Sequence, residues 1–172
     1  MGNEILLDEC GLGENQILTD SIRQWRADCQ CGQFKIGATT LRGPKLEMEL
    51  VGAQVNEGDF FGYPHQKWLA LLFVDPDGAM SSILLKTESL DNFEELRRQY
   101  LIKGESLLGK TIRATMSKRA SKASGNGYYA VEFEVTSDGK YAEAIAQFRQ
   151  LHYSPQLFRQ LESTPVENGN GK

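Results

Sequence analysis

The chain has 172 residues, a formal net charge of −4, and hydrophobic and charged fractions of 40% and 24%. That length suits one domain with a real core plus flexible ends, and a second full domain is not expected. No apolar run approaches the roughly 20 residues needed to span a bilayer, so no membrane partner is expected.

The opening MGNEILLDECGLGEN lacks a basic lead and a long apolar run, unlike a secretory signal, so a cytoplasmic location is expected. Gly2 sits in a myristoylation-like start, but Leu6 stands where that motif wants Ser or Thr. Residues 1–32 show little periodicity and read as an N-terminal arm, within which ILTDSIRQW suits a short helix capped by Thr19 or Asp20. Cys10, Cys29 and Cys31 are too few and too odd in number for a disulfide framework, and are expected to stay reduced. The CQC spacing is at best half a metal site. Only Cys10, His65 and His152 remain to complete it, so neither metal nor cofactor is expected.

From Phe34 the pattern tightens: Phe34 and Ile36 alternate with polar neighbours, and LEMELV places Leu46, Met48 and Leu50 on one strand face with Glu47 and Glu49 on a solvent face. The connection GAQVNEGDFFGYPHQ then brings Phe60, Phe61, Tyr63 and His65. Trp68 to Val74 is apolar on both faces, which predicts a strand covered on both sides. The turn Asp75-Pro76-Asp77-Gly78 joins it to a second apolar run, making the clearest hairpin in the chain. Ser89 to Ile102 switches to helical spacing, with Phe93, Leu96 and Tyr100 on one stripe, Ser89 as cap and Gly104 beyond the end. KTIRATMSK and YYAVEFEV alternate again as two strands, the first with Arg113, Thr115 and Ser117 opposite its apolar face. A helix over Gly139 to Leu151 uses Tyr141, Ile145 and Phe148, and Pro155 opens a further turn through Leu161. Residues 163–172 have nothing to bury and are expected to be disordered.

Strand, strand, strand, helix, strand, strand is an order that resembles the OB fold, a five-stranded Greek-key barrel with its helix between strands three and four. The expectation is thus a mainly β (α+β) protein: an OB-like barrel over 33–136, a C-terminal helical segment over 137–162, and an arm and tail at the ends. The resemblance implies a ligand on strands two and three and in the loops between strands one and two and strands four and five. Here those loops are 52–66 and 118–127.

Charge favours the second loop. Between Glu105 and Glu132 there is no acidic residue, while Lys110, Arg113, Lys118, Arg119 and Lys122 all fall there; taking these five from −4 leaves −9 elsewhere. Concentrated positive charge is the footprint of phosphate binding. Tyr128, with Phe60, Phe61 and Tyr63 from the other loop, offers ring faces on which unpaired bases stack, at roughly 1–3 kcal/mol per base. The bland alternatives are a solvated hairpin tip for Lys118 to Gly127 and a core position for Tyr129.

No GxGxxG, P-loop, HExxH or GxSxG pattern stands where it would work, so no catalysis is expected. GQFKIG, Trp68 to Asp75 with its DPDG turn, and KASGNGYYAVEFEV together resemble accessory single-strand binders of phages, plasmids and cyanobacterial-type mobile elements. That resemblance implies a non-enzymatic binder of single-stranded DNA, RNA being the other candidate, with little base preference. ENGNGK departs from the acidic, apolar-ended tip of cellular single-strand binding proteins. The alternative is a protein-interaction or homo-oligomeric assembly module; a duplex-DNA regulator lacks a helix with a basic recognition face.

Overall fold

The computed structural model describes residues 18–60, 62–121, 125–154 and 156–158, excluding the side chains of 18–20, 60 and 63. The elements are β1 (Leu18–Asp28), β2 (Gln33–Ile36), β3 (Thr40–Leu41), β4 (Lys45–Phe60), β5 (Tyr63–Val74), β6 (Ala79–Lys86), α1 (Thr87–Ile102), β7 (Lys110–Ala120), β8 (Gly127–Asp138) and α2 (Ala142–Leu151). The protein is mainly β. All strands join one sheet in the order β3-β2-β1-β6-β5-β4-β7-β8, with β1 parallel to β6 and every other pair antiparallel.

Two expectations are corrected here. Instead of five strands closed into a barrel, there is an eight-stranded mixed sheet. The second half of the supposed arm is a strand inside that sheet, not a helix: β1 lies between β2 and β6, and its Trp25 is buried. Its sequence LTDSIRQWRAD shows one large aromatic among polar residues, and a register shift between Leu18 and Arg23 breaks the alternation that would have marked it. Within the sheet, β4, β5 and β6 follow one another as neighbours and β7 returns through α1 to lie beside β4, which is Greek-key connectivity.

The sheet is covered on both sides because β5 demands it. Leu69, Leu71 and Phe73 point to one core with Trp25, Phe34, Met48 and the α1 residues Leu90, Phe93 and Leu96. Ala70, Leu72 and Val74 point to the other core, closed by Tyr141, Ile145 and Phe158. Burying each Leu or Phe of these cores is worth roughly 1.5–3 kcal/mol. No helix among the described residues is long and apolar enough to cross a membrane.

α1 begins at Thr87, so Ser89 is not its cap; it is buried, and its Oγ accepts the Val131 N–H of β8 at 2.9 Å. At the other end Gly104 takes the left-handed conformation, φ 72°, and the chain leaves the helix through Gly104 N–H to Leu101 C=O and Glu105 N–H to Tyr100 C=O. The far parts of the sheet also meet: Tyr129 N–H donates to Cys29 C=O at 2.8 Å, between β8 and the β1–β2 turn. The Tyr129 ring packs there on Gly32, where a Cβ would lie 2.7 Å from two ring carbons.

Leu50 faces one core and Val51 the other by alternation, and a register shift between Leu50 and Gly52 leaves Val51 as the extra residue of a bulge. At this bulge the Tyr153 ring lies on Gly52, where a Cβ would come within 2.6 Å of it. Arg149 stacks 4.0 Å above the same ring and donates to Val51 C=O. Gly52→Ala is therefore expected to expel Tyr153 and destabilise the fold by about 2–3 kcal/mol. A thermal melt of the variant matching the native chain within a degree would contradict this packing.

Candidate functional site

The β7–β8 hairpin positions most of the expected cations. Its register pairs Arg113 with Glu134, Thr115 with Glu132, Lys118 with Tyr129 and Arg119 with Tyr128. Ile112, Ala114 and Met116 turn inward to the core, so Arg113, Thr115 and Ser117 project from the other face by alternation.

That outward face is not a bare basic patch. Arg119 donates to Glu88 at 2.7 Å, to Glu132 at 2.6 Å and to Ser117 at 2.6 Å. The two carboxylates hold the guanidinium protonated even more firmly than usual, and Arg119 with the Tyr128 hydroxyl keeps Glu88 below the usual carboxylate range. Tyr128 donates to Glu88 at 2.8 Å, which raises its phenol above its ordinary value. Arg113 reaches Glu47 at 2.9 Å and Glu134 at 3.4 Å, and Lys110 reaches Asp138 at 2.7 Å. Lys118 is exposed and makes no ion pair among the described residues. Lys45, opposite Thr115 on the adjoining strand, is exposed likewise; sequence reasoning missed it.

The aromatic loop stands apart from this hairpin. Phe60 and Tyr63 pair across the β4–β5 turn, while Phe61 and Lys122 lie outside the described residues. Lys45 at the start of the 16-residue β4 pairs with Thr115, so the β7–β8 tip and the β4–β5 tip project past opposite ends of that strand. The loops expected to face each other flank the sheet instead. The face of β5 that lies between them carries Ala70, Leu72 and Val74 and is buried under α2 and Phe158.

The DPDG turn is the most tightly built polar cluster, and it is structural. The buried Asp75 carboxylate accepts from Arg23 at 2.9 Å, Trp25 Nε1 at 3.1 Å, Ser81 Oγ at 3.0 Å, and the backbone N–H of Asp77 and Ala79. Arg42 lies over the Trp25 ring and bonds Asp77, whose carboxyl is held below its usual range first by Arg42 and then by Arg23. Glu49, expected to face solvent, is also buried: it accepts the N–H groups of Lys140 and Tyr141 at 2.7 and 2.8 Å, before α2.

Asp28 closes the turn containing both described cysteines, accepting from Lys35 at 2.5 Å and from the N–H groups of Gln30 and Cys31. These bonds, Lys35 foremost, lower its pKa from 3.8 to about 2. A depressed carboxylate stabilises the fold above its unfolded pKa. The contribution, about 1 kcal/mol for a partly exposed pair, is therefore lost as pH falls from about 4 to 2. Asp28→Asn should remove that acid-dependent step from urea midpoints measured across this window; an unchanged step would contradict the assignment. Burial, with Asp28 beside it, pushes the Cys29 thiol up, which disfavours the thiolate a metal needs. Among the described residues no three His, Cys, Asp or Glu side chains converge to hold an ion.

Comparison with family models, with curated proteins and with solved structures finds no match to this chain.

Proposed function

We propose that the chain is a non-enzymatic binder of single-stranded nucleic acid, DNA in the first instance, with little base preference. The observation that carries this is the Greek-key order of β4 to β8 with α1 between its third and fourth strands, the connectivity of the OB fold. Because α2 covers the middle of the face that fold ordinarily uses, binding falls to the β7–β8 hairpin: Lys118 and Lys122 on phosphates, Tyr128 as the stacking ring, and Arg119 held ready between Glu88 and Glu132. Tyr128 is 38% exposed, enough ring surface for one base.

Ion pairing of Lys110, Arg113 and Arg119 sets the expected strength. With Lys118 making no ion pair among the described residues, and Lys122 proposed as a second phosphate contact, binding should be modest, and log K should fall with log salt at a slope of about −1.4. Lys118→Ala with Lys122→Ala should flatten that slope and weaken oligonucleotide binding about tenfold at low salt. Unchanged affinity and slope would remove the hairpin from the site. One observation favours a second reading, an interaction or assembly module: a face where Arg113 meets both Glu47 and Glu134 mixes charges of both signs, as protein-binding surfaces do.

A further inference from the structure

We propose that the free edge of β8 at Phe133 and Val135 docks an extended segment of another protein, one that alternates apolar and basic residues. The proposal does not depend on the nucleic-acid reading, since it uses the edge of β8 that faces away from β7.

In an antiparallel ladder the N–H and C=O of one residue point the same way, and the direction alternates along the strand. Val131 points away from β7: its N–H donates to Ser89 Oγ and its C=O accepts from Asn92 Nδ2, both at 2.9 Å. Tyr129 shares that direction and is taken by Cys29. Phe133 and Val135 keep the same parity, because the β7–β8 register shifts only beyond Val135. Their N–H and C=O groups therefore point outward too, and none has a hydrogen-bond partner among the described residues. α1 covers the first half of the β8 edge and leaves the second half open.

The open half faces a groove of about 420 Å³ whose lining includes Leu96 and Gln99 of α1, Phe133, Glu132 and Glu134. An added strand would present alternate side chains to its two sides. On one side are Leu96 and Phe133, the latter packed edge-on against Phe93 at 5.3 Å, which suits apolar residues. On the other are Glu132 and Glu134, 54% and 65% exposed. Among the described residues each meets a cation through Oε1 alone, which leaves Oε2 to receive an incoming Lys or Arg. A second copy suits this edge poorly, because antiparallel β8–β8 pairing would set Glu132 and Glu134 against their own equivalents.

The test titrates the full chain with a labelled, end-capped peptide of alternating Lys and Val, and with its Glu-Val counterpart. The Lys-Val peptide should bind saturably and shift the Phe133 and Val135 amides in NMR spectra. Val135→Pro removes an outward N–H without touching the ladder and should weaken binding about tenfold. Glu132→Gln with Glu134→Gln, the control should the proline variant unfold, should weaken it about fivefold. Equal binding of the Glu-Val peptide, amide shifts elsewhere, or indifference to both variants overturns the proposal. So does a dimer of the native chain in sedimentation that Val135→Pro abolishes, since a second copy would then own the edge.

Discussion

Asp75→Ala is expected to lower stability by about 3–5 kcal/mol, as much as truncating a buried aromatic of the core. The Asp75 side chain is fully buried and gathers donors from three parts of the chain: Arg23 and Trp25 on β1, Ser81 on β6, and its own turn through Asp77 and Ala79. Removing the carboxylate strands the two backbone N–H groups and leaves Arg23 with Asp77 alone. Trp25 retains Ser81 Oγ at 3.2 Å, so its ring should stay in the core while β1 loosens beside β6. Asp75→Asn, which keeps acceptors but adds donors, should cost less. Urea unfolding measures both. A loss under about 1 kcal/mol for the alanine variant would show that the cluster is not what ties β1 to the hairpin.

Glu49→Ala, the second buried carboxylate, carries an expected loss of about 2–3 kcal/mol. Its carboxylate receives Lys140 and Tyr141 N–H just before α2, at the positive end of that helix, where no side chain of α2 itself provides a cap. Gly139 makes room for it: a Cβ there would lie 2.5 Å from Glu49 Oε2 and 3.0 Å from Gly109 C=O. Gly139→Ala should therefore disturb the same cap. Because both changes remove one contact, the double variant should lose little more than the worse single one. Additive losses in a double-mutant cycle would contradict the shared mechanism.

The strands were legible where alternation is clean. Leu46, Met48 and Leu50, the two-sided apolar run ending at Val74, and Ile112, Ala114 and Met116 each announce their faces, and all are buried as that pattern requires. The DPDG turn was equally plain, with Gly78 at φ 80°. The burial of Asp75 was not, because Arg23 and Trp25 lie 52 and 50 residues away in sequence. β1 escaped notice for the same reason in reverse: it is mostly polar, and one buried tryptophan does not make a period.

At the site, the basic run was visible and its neutralisation only partly so. Alternation already placed Glu132 and Glu134 on one face of their strand and Arg113 on one face of the other, and pairing the two as a hairpin would have set them side by side. Glu47 and Glu88 come from β4 and α1, and only tertiary structure brings them to Arg113 and Arg119. Among the described residues, this narrows the candidate interface from a continuous patch to Lys118, Tyr128 and a clamped Arg119. It also separates the hairpin from Phe60 and Tyr63 by the length of β4.

Fluorescence anisotropy of labelled oligo-dT, set against a duplex of the same length and read at two salt concentrations, tests the central claim most directly. Saturable binding of oligo-dT, stronger than duplex and weakened by salt with the shallow slope of about two phosphate contacts, is the predicted result. Absent binding, salt-insensitive binding, or a preference for the duplex would contradict it.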